Sequence, residues 1–273
     1  MNKQVFMRII DTLSANVPFF QQRKDVVGRL GLSTLQKCTA AIRMLAYGCA
    51  ADAIDEYLRL GESTTLSCLT NFTEAIIQLF GDEYLRRPTL EDLQRLLDIG
   101  EMRGFPRMIG SIDCMPWEWK NFPTAWKGQY TCTLNDINVL DRSPVFDDIY
   151  QGRAPSVTYM VNEHQYDLAY YLTDDIYPKW STFIQSITLP QGPKAELFAK
   201  VQEATRKDVE RAFGVLQARF AIVKNPALSL DKEKIGKNMR ACIILHNMIV
   251  ENDRGGYTLY DTSEFEVGDS TRS

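Results

Sequence analysis

The sequence predicts an α/β (α+β) fold in which a helical amino-terminal region is followed by strands with flanking helices, on three observations. Apolar residues in the first hundred positions recur at three- and four-residue steps, as helices require. Beyond Gly100 the pattern changes to short apolar runs bounded by proline and turn residues, as buried strands are. After ITLPQGPKAE, which is turn chemistry, the helical period returns and persists to Ile249.

In chain order, Ser33 is placed to cap a run in which Leu35, Cys38, Ile42, Leu45 and Ala46 form one stripe ending near Gly48. ADAIDEYLRLG reads as a shorter helical stretch closed by Gly61, and STTLSCLTNFTEAIIQLFG as a third helix closed by Gly81. Three helices in series have the outline of a helix-turn-helix. No Lys or Arg lies between Ser63 and Gly81, however, and a recognition helix without them binds phosphates poorly, so packing is the preferred reading. RRPTLEDLQRLLDIG offers a capping box from Thr89 to Asp92, leucines at 90, 93, 96 and 97, and an end at Gly100.

RMIGSIDCM, between Pro106 and Pro116, then reads as a buried strand ending in Asp113, and a second domain begins about here. SVTYMVN and DLAYYLTDD are further strands, with Asp174 just past the second apolar run. A long helix is expected from Glu196 to Val223 with Val209, Ala212, Phe213, Leu216 and Phe220 on one face, and a last helix from near Asp231 through Ile235, Met239, Cys242, Ile243 and Ile249. The expected division is a helical region over 1–100, a second domain over 101–254 and a mobile polar tail over 255–273.

Composition narrows the class. The chain has 273 residues, 45% hydrophobic and 24% charged, which suits a globular protein with its own core and argues against a disordered or fibrous one. Six widely spaced cysteines with no C-x-x-C pair indicate neither a zinc site nor a disulfide framework, and fit a reducing compartment. MNKQVFMRIIDTL has a charge within its short apolar patch and no small-residue cleavage site, and no window reaches eighteen apolar residues, so neither secretion nor membrane spanning is expected. A net charge of -4 is the wrong sign for coating nucleic acid by charge alone, so any DNA contact must be local. Between Arg206 and Arg240 nine Lys or Arg face four acids, a segment that either tracks phosphates or is a solvated helical face.

Four acids share a placement that composition does not supply. Asp113 and Asp174 follow strand-like runs, Asp136 sits in TLNDINVL, and Glu210 sits within the helix RKDVERAFGVL. Carboxylates at strand ends can converge on one spot, and hard divalent ions such as Mg²⁺ take oxygen ligands. A pair of such ions roughly 3.5–4 Å apart can activate water and stabilise the leaving oxygen of a phosphodiester. Each acid also has an ordinary alternative as a cap, a turn residue or a surface charge.

GFPRMIGSIDCMPWEWKNFPTAWKGQY, TLNDINVLDRSPVFDDI, YYLTDDIYPKW, QGPKAELFAKVQEATRKDVERAFGVLQARFAIV and ACIILHNMIVE together resemble the plant branch of the Harbinger (PIF-type) transposase-derived nucleases, over roughly residues 28 to 254 and in the family's order. The resemblance implies an RNase H-like mixed sheet flanked by helices and a DDE metal site for Mg²⁺ or Mn²⁺. It assigns Asp113, Asp136, Asp174 and Glu210 as metal ligands, with Asp113, Asp136 and Glu210 as the catalytic acids, and the bound ions rather than a side chain generating the hydroxide. It implies a nuclear protein that acts on DNA, with a separate Myb/SANT-like protein as a partner. His246, in ILHNMIV, lies on the stripe of the last helix and reads as a core histidine rather than a ligand. Trp117, Trp119 and Trp126, with Lys120 and Lys127, either stack on bases or fill a core.

The chain departs from the family at one place. In the family that the chain resembles, an insert with strand-like runs is expected between GQYT and TLNDINV, which here are joined through Cys132 to Thr133, the first residue of the second motif. An RNase H-like sheet draws the neighbours of its first strand from that region, so the sheet is expected to be truncated. Asp113, Asp174 and Glu210 are expected within roughly 8 Å of one another, with Asp136 displaced. Two functions follow: a metal-dependent DDE endonuclease, or a domesticated, catalytically dead transposase acting as a DNA- or chromatin-associated module.

Overall fold

The structure, a computed structural model, describes residues 1–54, 58–115, 117–118, 120–121, 156–161, 164–227, 229 and 231–257. Asp136, Trp119, Trp126, Lys127 and the expected tail beyond Tyr257 lie outside the described residues. The fold is α/β, as the sequence predicts, and the chain divides into two compact units.

The first unit comprises Met1–Arg86, Arg219–Asn225 and the chain from Asp231. Helix α1 (Lys3–Asn16) begins where the Asn2 side chain accepts from the Val5 N–H, and it buries Val5, Ile9, Ile10 and Leu13 at helical spacing. Helix α2 (Thr34–Tyr47) starts on a capping box between Ser33 and Gln36 and ends at Gly48, which adopts the left-handed φ of 57°. A Cβ at Gly48 would also stand 2.8 Å from the carbonyl carbon of Ala221, so both the turn and the packing exclude a side chain.

Ala51–Ile54 form a 3₁₀ turn, residues 55–57 of the expected short helix lie outside the described residues, Leu58 is helical, and Gly61 is the N-cap of α3 (Glu62–Tyr84). Helix α3 runs through Gly81 and buries Thr65, Cys68, Leu69, Phe72, Thr73, Ala75, Ile76 and Phe80. The carboxy-terminal helix over Lys232–Tyr257 supplies Ala241, Cys242, Ile244, Leu245, Met248 and Ile249 to the same core.

The second unit comprises Arg87–Ala218 and Pro226–Leu230. Helix α4 (Leu90–Met102) opens on the expected capping box between Thr89 and Asp92. It packs on β1 (Met108–Ser111) so closely that a Cβ at Gly100 would lie 2.5 Å from the carbonyl oxygen of Met108. Strands β2 (Ser156–Val161) and β3 (His164–Leu168) pair as an antiparallel hairpin. The expected run DLAYYLTDD divides at Ala169, which separates β3 from β4 (Tyr170–Thr173). With β5 (Phe183–Gln185), strands β1 and β4 form a parallel sheet of order β1-β4-β5. Phe105, Met108, Tyr170 and Leu172, joined by Ile184, fill one cluster on this sheet, and Tyr177 and Phe183 anchor another.

Helix α5 (Pro193–Arg219) follows and stops earlier than the sequence suggests, because Phe220 takes φ -132° and ψ 89° before the single turn α6 (Ala221–Lys224). Leu216 and Phe220 are buried as expected, but Ala212 is exposed, and the buried positions of the first half are Gln202, Thr205 and Arg206. The last helix, α7 (Lys232–Tyr257), belongs to the first unit. Lys237 of α7 pairs with Glu74 at 2.9 Å, and Asn247 donates to the Tyr84 carbonyl at 3.1 Å, so α3 and α7 run in the same direction.

Candidate metal centre

Parallel pairing explains how two distant acids meet. Ser111 of β1 is in register with Leu172 of β4, so Asp113 and Asp174 each stand two residues beyond that pair, at the carboxyl ends of adjacent strands. The pairing continues past β1, since the Ile112 N–H donates to the Leu172 carbonyl at 2.9 Å. Carboxyl ends of parallel strands are where open α/β sheets bind ligands. The third strand contributes as well, because the Ser186 hydroxyl just past β5 donates to Asp174 Oδ1 at 3.2 Å.

Helix α5 lies across these ends on a stripe of four-residue steps. Gln202 donates from its side-chain amide to the carbonyls of Ile184 at 3.1 Å and Gln185 at 2.8 Å, which ties the helix to the end of β5. One turn on comes Arg206, and one further turn brings Glu210. The Arg206 side chain is only 10% exposed, and its Nη1 lies 3.1 Å from Glu210 Oε1 and 3.9 Å from Asp113 Oδ2. The two carboxylate oxygens therefore stand no further apart than those distances together allow. The other edge of the guanidinium forks onto Glu203, with Nε at 3.1 Å and Nη2 at 3.2 Å.

The electrostatics follow from these contacts. Burial pushes the Asp174 carboxyl up, but the Asp175 N–H, the Arg206 charge and the Ser186 hydroxyl outweigh it and hold the group below its ordinary range. The fork from Arg206 likewise holds Glu203 low. Burial acts to lower the Arg206 pKa, yet its carboxylate neighbours raise it overall, so the guanidinium stays charged.

Of the four acids expected in the site, Glu210 and Asp113 thus lie 3.1 and 3.9 Å from one guanidinium nitrogen, Asp174 stands at the end of the adjacent strand where the Arg206 charge acts to lower its pKa, and Asp136 lies outside the described residues. Among the described residues no group of three His, Cys, Asp or Glu side chains is disposed to hold a metal ion. The cation amid the acids is Arg206, which sequence reasoning counted only as the start of a basic segment; the four-residue spacing of Gln202, Arg206 and Glu210 is the signal that could have found it.

The remaining candidates divide. His246, on α7, is half-buried with its Nδ1 3.4 Å from Arg219 Nη1, and burial followed by the Arg219 charge lowers its pKa. Trp117 is half-buried, and the next residues pair with Ala227: its N–H donates to the Glu118 carbonyl at 2.8 Å, and the Lys120 N–H donates to its carbonyl at 3.1 Å. Among the described residues no helix is long and apolar enough to cross a membrane.

The sequence matches the family described as plant transposon protein over residues 82–134 and 130–257. It is similar to the protein named "Putative nuclease HARBI1" of Homo sapiens, at 20% identity over 285 aligned residues that take in 92% of this chain and 75% of the human protein. The Xenopus laevis protein of the same name is 22% identical over 274 residues, covering 90% of this chain and 78% of its own. No solved structure matches.

Proposed function

The chain belongs to the Harbinger-type plant transposon protein family of transposase-derived nucleases, and from that premise we propose that it carries the site of a DDE-type DNA endonuclease dependent on Mg²⁺ or Mn²⁺. The metal ligands in this reading are Asp113, Asp136, Asp174 and Glu210, with Asp113, Asp136 and Glu210 as the catalytic carboxylates, on the framework of a truncated RNase H-like sheet. The observation that carries it is the approach of a strand-end acid and a helix acid to one positive charge, Glu210 at 3.1 Å and Asp113 at 3.9 Å from Arg206 Nη1, with Asp174 at the adjacent strand end.

The chemistry of the donors fits a hard divalent cation, being carboxylate oxygens of which two already flank a cationic group, although among the described residues no three of them are disposed to hold an ion together. Bound there, such cations supply the charge that activates water and stabilises the leaving oxygen of a phosphodiester. The chain's own residues do the rest. Ser186 and the Asp175 N–H keep Asp174 ionised, and Gln202 ties α5 to the end of β5 two turns before Glu210. Purified protein should nick plasmid DNA in Mg²⁺ or Mn²⁺, and Glu210→Gln should abolish the nicking; cleavage that survives the substitution removes the assignment.

One observation favours a second reading. The family match falls into two segments, 82–134 and 130–257, that overlap at residues 130–134, which is where the resemblance leads one to expect a segment that this chain lacks. The human alignment runs over 285 positions while taking in 92% of this 273-residue chain, so it includes positions without a counterpart here. A chain lacking that segment suits a domesticated transposase that no longer cuts and acts in the nucleus as a DNA- or chromatin-associated module with a Myb/SANT-like partner. Co-purification with such a partner, with no heat of metal binding by calorimetry, supports this reading; binding of two metal ions counts against it.

A further inference from the structure

We propose that Arg206 is the internal counter-cation of the carboxylate site, holding Asp113 and Glu210 together through Nη1 while no divalent cation is bound and giving up those contacts when one binds. The inference rests on the metal-binding reading of Asp113, Asp174 and Glu210 given above.

The guanidinium is divided between two tasks. Its Nε and Nη2 edge is committed to the Glu203 fork at 3.1 and 3.2 Å, on the same helix and outside the set of acids at the strand ends. Its Nη1 enters that set, 3.1 Å from Glu210 and 3.9 Å from Asp113. A charge with a side chain 10% exposed is stable only beside opposite charge. The converse holds for the acids, since carboxylates drawn together need a cation between them. Arg206 therefore supplies in the metal-free protein the charge that a metal would supply.

Both cations cannot hold the same oxygens. A divalent ion ligated by Asp113 and Glu210 at about 2.0–2.1 Å would stand within a few ångströms of Nη1, where like charges repel, screened on the Glu210 side by solvent because that side chain is 44% exposed. The Glu203 fork gives the displaced group a resting place. Because the guanidinium is rigid and planar, Nη1 can leave the two carboxylates only as the whole group swings together with the Glu203 carboxylate, which is 40% exposed and has room to follow, so Glu203 is the positioning residue that retains the charge on the helix.

The test is calorimetric titration of the full chain with Mn²⁺, comparing wild type with Arg206→Gln and Arg206→Lys, alongside melting in EDTA. Arg206→Gln should bind Mn²⁺ about tenfold more tightly than wild type, because a competing charge is gone, while Arg206→Lys should stay near wild type. In EDTA, Arg206→Gln should melt lower than wild type, and Asp113→Asn added to it should recover part of the loss. An Arg206 with a merely structural role would lower the melting temperature of Arg206→Gln and leave Mn²⁺ affinity unchanged or weaker; that result overturns the proposal and leaves the metal reading standing. Absence of Mn²⁺ binding in wild type and variant alike overturns both. Should Arg206→Gln not fold, the guanidinium nitrogen resonances of wild-type Arg206 decide: saturating Mg²⁺ should shift them, and resonances that do not move overturn the proposal.

Discussion

The side-chain amide of Gln202 donates to the main-chain carbonyls of Ile184 at 3.1 Å and Gln185 at 2.8 Å, and through this pair of bonds the helix bearing Glu210 is fastened to the end of the last strand. Gln202 is fully buried, and among the described residues its Oε1 has no partner. Gln202→Leu would leave two carbonyls without their donor at a cost of about 1–3 kcal/mol, partly offset by removing the unmatched oxygen. Urea melts should show a net loss of about 1–2 kcal/mol. An unchanged midpoint would mean that α5 is held by its apolar contacts alone.

Gly100 sets how closely α4 approaches the strand that carries Asp113. The nearest atoms to an added Cβ are the Met108 oxygen at 2.5 Å and the Phe105 oxygen at 2.9 Å, both backbone, so no side chain can rotate away to make room. Gly100→Ala should destabilise by about 1–3 kcal/mol of overpacking, reduced by the ~1 kcal/mol that alanine gains over glycine within a helix. A melting temperature at or above wild type would show that the helix shifts freely along β1.

How much was legible before the structure depended on how local each cause was. The cap at Ser33 and the box from Thr89 to Asp92 are fixed by residues three apart, and both formed. Asp113 and Asp174 could be placed at strand ends because the apolar runs stop just before them, although their alignment depended on parallel register, which a single strand does not encode. Arg206 was illegible for a different reason: in a list of charges it looks like any other member of a basic run, and only the fold buries it among acids. The same logic hid the polar buried face in the first half of α5, Gln202, Thr205 and Arg206, ahead of the expected apolar stripe, of which Leu216 is buried and Ala212 is exposed. Asp136 lies outside the described residues, so its place in the site remains a proposal.

His246 should impose a pH dependence on stability. Burial and the Arg219 charge depress its pKa in the folded chain below the ordinary 6.5. The unfolded chain then binds the proton more readily, so the stability is fully present above the unfolded pKa and is lost as pH falls from there through the folded pKa. Urea melts at stepped pH from 7.5 downward (about neutral to acidic) should show a decline that His246→Gln, which cannot titrate, makes shallower. Equal slopes for the two proteins would show that protonation of His246 is not what the acid side of the profile reports.

The last expectation concerns the join at Cys132. In the described sheet β1 stands at one end of the order β1-β4-β5, so the strand leading to Asp113 has a sheet neighbour on one side among the described residues. If relatives carry a segment with strand-like runs between Asp113 and Asp136, as the family resemblance implies, those runs would be placed to pair with the other side of β1 and route the chain to Asp136. A strand held on both sides positions its terminal carboxylate more firmly, and an error of an ångström is costly when ligands must sit at about 2.0–2.1 Å from an ion. Grafting the relatives' segment between Cys132 and Thr133 should therefore raise Mn²⁺-dependent plasmid nicking by at least about tenfold over this chain, and Glu210→Gln should remove the gain. If the grafted and ungrafted chains nick equally fast, the missing segment is dispensable for cutting, and the argument for a catalytically dead module loses its physical basis.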